Sequence, residues 1–182
     1  MSRFRLERDQ AALLVVDVQE RLLAAMSPDA QPRLIKRTVA AIQGARALGL
    51  PIVATEQYPK GLGPTVAAVR DALGEVKPVE KLEFGAALPA VMAGLGGRSQ
   101  ILLTGMETHV CVFQTARDLS ERQKVPYLCV DAVLSRTEED RKIGLDLCRE
   151  VGAVVTSVEA ALFDLLGRAG TPEFKLVSQA VK

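Results

Sequence analysis

Histidine is almost missing from this chain: one, His109, stands among 182 residues, and cysteine occurs only three times. A lone histidine without cysteine or carboxylate partners at a ligand spacing makes a poor metal centre, so no metal and no cofactor are expected. Three cysteines, an odd number in a chain of this size, do not form a disulfide framework and suit a reducing compartment. Neither sign of charge is in excess. The formal net charge is +1 with acids and bases interspersed, which leaves no basic face for nucleic acid and no acidic solvating tail. No apolar run approaches the roughly eighteen residues that a membrane span requires, and the N-terminal stretch MSRFRLERDQ lacks the apolar segment of a secretory signal. These absences leave a soluble, cytoplasmic protein whose partner is a small molecule.

Apolar residues make up 48% of the chain, enough for one well-buried core, and the length is too short for two full domains. Residues 1–182 therefore read as a single domain. Short apolar runs alternate with longer segments of helical period, the pattern of a parallel sheet covered on both faces. Strands are expected at Ala11–Val16, Pro51–Thr55, Val76–Glu80, Gln100–Thr104, Pro126–Val130 and Ala153–Thr156. The fold class is α/β, a three-layer α/β/α sandwich around a six-stranded, doubly wound parallel sheet of order 3-2-1-4-5-6.

One helical stripe runs through Leu34, Ile35, Val39, Ile42, Ala45 and Leu48 to a stop at Gly49, and another through Ile143, Leu147 and Val151 to Gly152. A third opens near Thr156 with Glu159 three residues on, a capping-box spacing, and carries Val158, Ala161, Leu162 and Leu165 inward. Two segments break the rhythm. Glu56 to Pro64, EQYPKGLGP, should be a loop at the C-terminal end of the second strand, where loops of a parallel sheet line the ligand crevice. The tail from Gly170 to Lys182 opens with a Thr-Pro helix-entry signal and should dock on a neighbour. With open sheet edges, exposed Phe174 and Val177 predict a homo-oligomer with the tail in its interface.

The chain is organised around Gln100 to Leu119, QILLTGMETHVCVFQTARDL. An apolar run gives way at Thr104-Gly105 to a polar link, then to a helix-like pattern with Val110, Phe113, Ala116 and Leu119 on one face. Cys111 falls in the first turn, where free N–H groups and the helix dipole favour a thiolate and lower its pKa. The same N–H groups suit an oxyanion formed when sulfur attacks a carbonyl. Equally, Cys111 reads as a small core residue. Asp17 ends the first strand, ALLVVDVQ, and is either a helix N-cap or, with strands one and four adjacent at the switch point, the facing wall of one crevice. Lys81 follows the third strand at the same sheet edge; it is a solvated surface residue or the cation that relieves a carboxylate and an incipient thiolate. Together Asp17, Lys81 and Cys111 would make a nucleophilic unit. Cys129, inside PYLCV, and Cys148, beside Leu147, read as core.

Three segments, DVQ at Asp17 to Gln19, EKLEFGA with Lys81 and TGMETHVCV with Cys111, resemble in order the isochorismatase-like cysteine hydrolases, over nearly the whole chain. TEQYPKGLG, GMETHVCV and PEFK are similar to segments of the isochorismatase-domain-containing hydrolases within that family. The resemblance implies the six-stranded sandwich, an Asp17, Lys81 and Cys111 catalytic triad, and a non-proline cis peptide joining Met106 to Glu107. It also implies an oxyanion hole from the Val110 and Cys111 N–H groups. Gln19, Gln57, Tyr58, Glu107 and Val110 lie in the matching segments and are expected at the substrate.

The function so implied is hydrolysis of an amide or ester bond of a small molecule through a Cys111 thioester. Nicotinamidases carry a metal site after the second strand, and EQYPKGLG holds no histidine there; true isochorismatases lack the cysteine that Cys111 supplies. His109 contacts substrate or caps the helix start. A nicotinamidase-type amidase, a catalytically idle binding or assembly module, and a redox sensor built on Cys111 are the competing readings.

Overall fold

The computed structural model describes residues 3 to 182, so Met1 and Ser2 of the expected 1–182 domain lie outside the described residues. Strands Ala11–Val16 (β1), Ile52–Gln57 (β2), Val79–Lys81 (β3), Gln100–Met106 (β4), Val125–Leu134 (β5) and Val154–Thr156 (β6) form one parallel sheet in the order β3-β2-β1-β4-β5-β6. The helices are Glu20–Ala24 (α1), Gln31–Ala47 (α2), Pro59–Leu62 (α3), Ala67–Leu73 (α4), Pro89–Gly94 (α5), Phe113–Glu121 (α6), Glu138–Glu150 (α7), Val158–Leu166 (α8) and Pro172–Ala180 (α9). One turn of π-helix, Thr108–Val112, leads directly into α6.

All six residues of β1 are buried because helices cover both faces of the sheet. Side chains alternate across a strand, so Leu13 and Val15 join Leu34, Ile42, Tyr127 and Val158 in one core, while Leu14 and Val16 join Ile101, Leu103, Val112 and Leu119 in the other. Helices α2, α4, α8 and α9 close the first core; α5, the π-turn, α6 and α7 close the second. Among the described residues no helix is long and apolar enough to cross a membrane.

Several expectations need correction. The third strand starts at Val79, not Val76, and takes in Lys81 as its last residue. The fifth runs on to Leu134, four residues past the expected end. EQYPKGLGP is not all loop: Glu56 and Gln57 finish β2, and Pro59–Leu62 makes the single turn of α3.

On α7 the inward residues are Gly144, Leu145 and Cys148, whereas Ile143 and Leu147 are 49% and 37% exposed. The cause is close packing. A Cβ at Gly144 would sit 2.6 Å from the His109 nitrogen and the Thr108 carbonyl carbon, so the helix turns its smallest residue to the π-turn and its larger ones outward. Helix α8 is capped by Ser157, whose Oγ accepts the Ala160 N–H at 3.1 Å, one residue past the expected cap.

The tail folds back on its own chain. Thr171 caps α9, Val177 is fully buried among the first-core residues, and Phe174 meets Phe163 edge-on at 6.1 Å. Val177 and the half-buried Phe174 are therefore not the exposed interface positions expected of them.

Candidate active site

The ends of β1 and β4 come so close that a Cβ at Gly105, held at φ +124°, would lie 1.9 Å from the Val16 carbonyl oxygen. Only glycine fits such an approach. The residue after β1, Asp17, turns into the left-handed region at φ 51° and projects into the switch point between the strands. Its carboxylate is fully buried, which is costly without partners. Thr55, within β2, donates its hydroxyl to Asp17 Oδ1 at 2.6 Å, and Lys81 donates from Nζ to Oδ2 at 2.6 Å. The N-cap reading of Asp17 falls, because the residue preceding α1 is Gln19 and no side chain caps that helix.

Lys81 is not a surface residue. Its ammonium donates to Asp17 Oδ2 and to the carbonyls of Glu83 at 3.0 Å and Phe84 at 2.9 Å, which uses all three of its hydrogens. Cys111 is buried in the π-turn, where the Asp17 carboxylate and the Glu107 backbone both bear on its thiol. The expected lowering of its pKa does not occur. Burial, and after it the Asp17 charge, push the thiol up to about 12 against the opposing pull of Lys81 and the Glu107 amide. Asp17 is raised by burial, against Lys81, Thr55 and Cys111. At rest the site therefore holds a protonated thiol beside a carboxylate whose proton affinity burial has increased.

The other expected residues divide. Gln19 is buried and ties the segment after β2: its Nε2 donates to the Gln57 and Gly63 carbonyls at 3.0 and 2.7 Å, and its Oε1 accepts the Gln57 N–H at 2.7 Å. Gln57 donates to the Leu82 carbonyl at 3.3 Å. Tyr58, at φ 40° and 51% exposed, lines a depression of about 580 Å³ with Pro59, Lys60, Glu80, Lys81, Leu82 and Glu83. That lining reaches Lys81 and stops short of Cys111. The Met106–Glu107 peptide is cis. The Glu107 carboxylate accepts from Arg136 Nε at 2.9 Å and from the Arg136 N–H at 3.2 Å, and so faces Arg136. The Val110 N–H donates to the Glu107 carbonyl at 3.1 Å and is occupied in this state. His109 does not cap the π-turn; its Nδ1 pairs with Ser135 Oγ at 3.0 Å.

Residues 11 to 160 match the isochorismatase domain. The chain belongs to the isochorismatase family. It is 37% identical to the "Secreted isochorismatase effector Isc1" of Phytophthora sojae, over 98% of this chain and 87% of that one. To "Isochorismatase domain-containing protein 2A" of Mus musculus it is 35% identical, over 98% and 85%. Among solved structures, one described as the MAR1 ribonuclease of Caenorhabditis elegans superposes with a TM-score of 0.91 at 36% identity, over 97% of this chain and 92% of that one.

In this isochorismatase-like hydrolase, among the described residues, no group of three or more histidine, cysteine, aspartate or glutamate side chains is placed to hold a metal ion. Three polar residues at the site went unread in the sequence. Thr55 carried the same signal as Asp17, a polar residue at the end of a buried strand. Arg136 and Thr115 carried none, since Arg136 meets Glu107, and Thr115 meets the Ala86 N–H, across 29 residues.

Proposed function

We propose that the protein is a cysteine hydrolase that cleaves an amide or ester bond of a small molecule through a Cys111 thioester, with Asp17, Lys81 and Cys111 as its catalytic triad. The observation that carries this reading is the single buried carboxylate of Asp17, which accepts a hydrogen bond from the ammonium of Lys81 and whose charge bears on the Cys111 thiol. A thiol with its pKa near 12 is not a standing nucleophile; it needs a base in contact. As the sulfur attacks the substrate carbonyl, the S–H proton passes to Asp17. Collapse of the tetrahedral intermediate returns that proton to the departing amine or alkoxide. Asp17 then takes a proton from the water that cleaves the thioester and returns it to the expelled sulfur, which restores the resting thiol.

Lys81, with no hydrogen to spare, acts as a fixed positive charge rather than as a donor to substrate. The amides of the π-turn receive the oxyanion, and that of Val110 must exchange the Glu107 carbonyl for it. The depression beside Lys81, with Tyr58 and Leu82 exposed on its rim, has the size of a small-molecule site. A homo-oligomer in a reducing, cytoplasmic setting remains part of this reading, supported by three unpaired cysteines and by exposed Leu82 and Phe84 rather than by the tail.

Intact-mass trapping of an acyl-enzyme against a panel of small amides and esters, nicotinamide among them, tests the proposal. A mass increase on wild type that is absent from Cys111→Ala supports it. An RNA oligonucleotide belongs in the same panel because one relative is described as a ribonuclease. RNA cleavage without any acyl adduct would overturn the thioester route, and ligand binding without turnover would favour the idle module.

A further inference from the structure

The triad is held in two pieces. Asp17 and Lys81 stand at the ends of β1 and β3, while Cys111 stands in the π-turn before α6. Beyond the contact at the reacting atoms themselves, something must set the distance between these pieces. Lys81 is tied to the segment that follows it through the Glu83 and Phe84 carbonyls. Two residues further on, the buried N–H of Ala86 donates to Thr115 Oγ1 at 2.9 Å. The same oxygen donates its one hydrogen to the Cys111 carbonyl at 2.6 Å. A hydroxyl has a single hydrogen and two lone pairs, so the roles are fixed: Thr115 accepts from the lysine segment and donates to the cysteine.

A threonine inside a helix often bonds back to the carbonyl four residues earlier, and that bond alone would be a local matter of helix shape. The bond from Ala86 is not local. It closes a ring that runs from Asp17 through Lys81, the 82–86 segment, Thr115 and Cys111 back to Asp17.

We propose that Thr115 is a positioning residue, which locks the Lys81 segment to the nucleophile turn and so fixes the distance between the base and the thiol. The inference rests on the triad reading, and deepens it. Removing the hydroxyl leaves the Ala86 N–H buried without an acceptor and cuts the ring between the 82–86 segment and the nucleophile turn. The Lys81 segment is then free to lift, water enters, and the alignment of Asp17 with Cys111 is lost. Acyl transfer needs that alignment; alkylation of the sulfur needs only access and thiolate.

The experiment compares wild type, Thr115→Val and Thr115→Ser in two assays: acylation of Cys111 by p-nitrophenyl acetate, followed by intact mass, and iodoacetamide labelling of each cysteine, followed by peptide mapping. In Thr115→Val acylation falls roughly tenfold, as loss of alignment causes, while Cys111 labelling rises severalfold and that of Cys129 and Cys148 does not change. Thr115→Ser restores both. Thr115→Ala, which adds no methyl beside the stranded groups, carries the same comparison if the valine variant does not fold. The proposal is overturned if acylation and Cys111 labelling match wild type, or if all three thiols label faster together with a lower melting temperature, since Thr115 would then only stabilise α6. A wild type that never acylates, with Cys111 still labelled selectively faster in Thr115→Val, would sink the hydrolase reading and leave the lock standing.

Discussion

The two helical layers pack within themselves by different means. In the α2, α4, α8 and α9 layer, large side chains fill the space, with Leu34, Ile42 and Leu48 wholly or almost wholly buried. Its close contact at Gly44 is with a side-chain tip, since a Cβ there would meet Leu162 Cδ1 at 2.4 Å. In the α5, α6 and α7 layer Gly94 likewise meets a side-chain tip, Val53 Cγ2 at 2.8 Å, but Gly144 lies against backbone, that of His109 and Thr108. A side-chain tip can rotate away, whereas a backbone segment can yield only by moving whatever it carries. Here it carries Cys111. One layer has room to adjust; the other carries the proposed nucleophile and has less.

The largest effect is expected at the site itself. Asp17→Asn should lower turnover of any substrate found by roughly a hundredfold or more, the usual loss when a general acid–base is removed, while the melting curve stays cooperative. Steady-state hydrolysis beside circular dichroism decides it, and near-normal turnover would withdraw the triad.

The contrast between layers comes next. Gly144→Ala should reduce Cys111 acylation by about tenfold or more by shifting the π-turn, and Gly44→Ala should leave it within about twofold because Leu162 can change rotamer. Equal effects of the two alanines would erase the distinction between the layers. Ile42→Ala tests the same division from the other side. It should cost about 2–5 kcal/mol in denaturant unfolding, as large-to-small core changes do, with acylation unchanged at a temperature where the protein is folded.

The smallest effect concerns alkaline pH. The thiols of Cys111 and Cys148 are raised by burial from 9.0 to about 12, and that of Cys129 is raised as well. A raised folded-state pKa gives a contribution to stability that is whole below the unfolded value and is lost as pH climbs through the folded one. Stability should therefore fall between about pH 9 and 12, and Cys148→Ala should make that fall shallower. A slope identical to wild type in pH-dependent melts would show that Cys148 does not contribute.

The same asymmetry governs what could be read in the sequence. The runs of β1 and β4, and the stripes of α2 and α8, were legible because their inward residues are apolar and hydropathy follows burial there. Asp17, Lys81 and Cys111 could be brought to one edge because each ends a strand or opens a helix, and topology alone does the rest. Helix α7 was misread for the opposite reason. Its inward face is chosen for smallness, with Gly144 and Cys148, so Ile143 and Leu147 gave a false stripe. Gln19 and the Val110 amide were placed at the substrate, but their present partners, and Thr115 altogether, escaped because these depend on hydrogen bonds between segments, and no spacing encodes which carbonyl a group will meet. The tail was legible as a helix, but not which surface would bury Val177.

One consequence of the saturated ammonium of Lys81 lies in how the site responds to its medium. Dissolved salt weakens exposed pairs such as Arg149–Asp146, whose charges stand in solvent with mobile ions between and around them. The Asp17–Lys81 pair shows no side-chain surface to solvent. The chain thus carries a tethered counter-ion of its own, and the electrostatic balance at the thiol should hold steady from dilute buffer to strong brine.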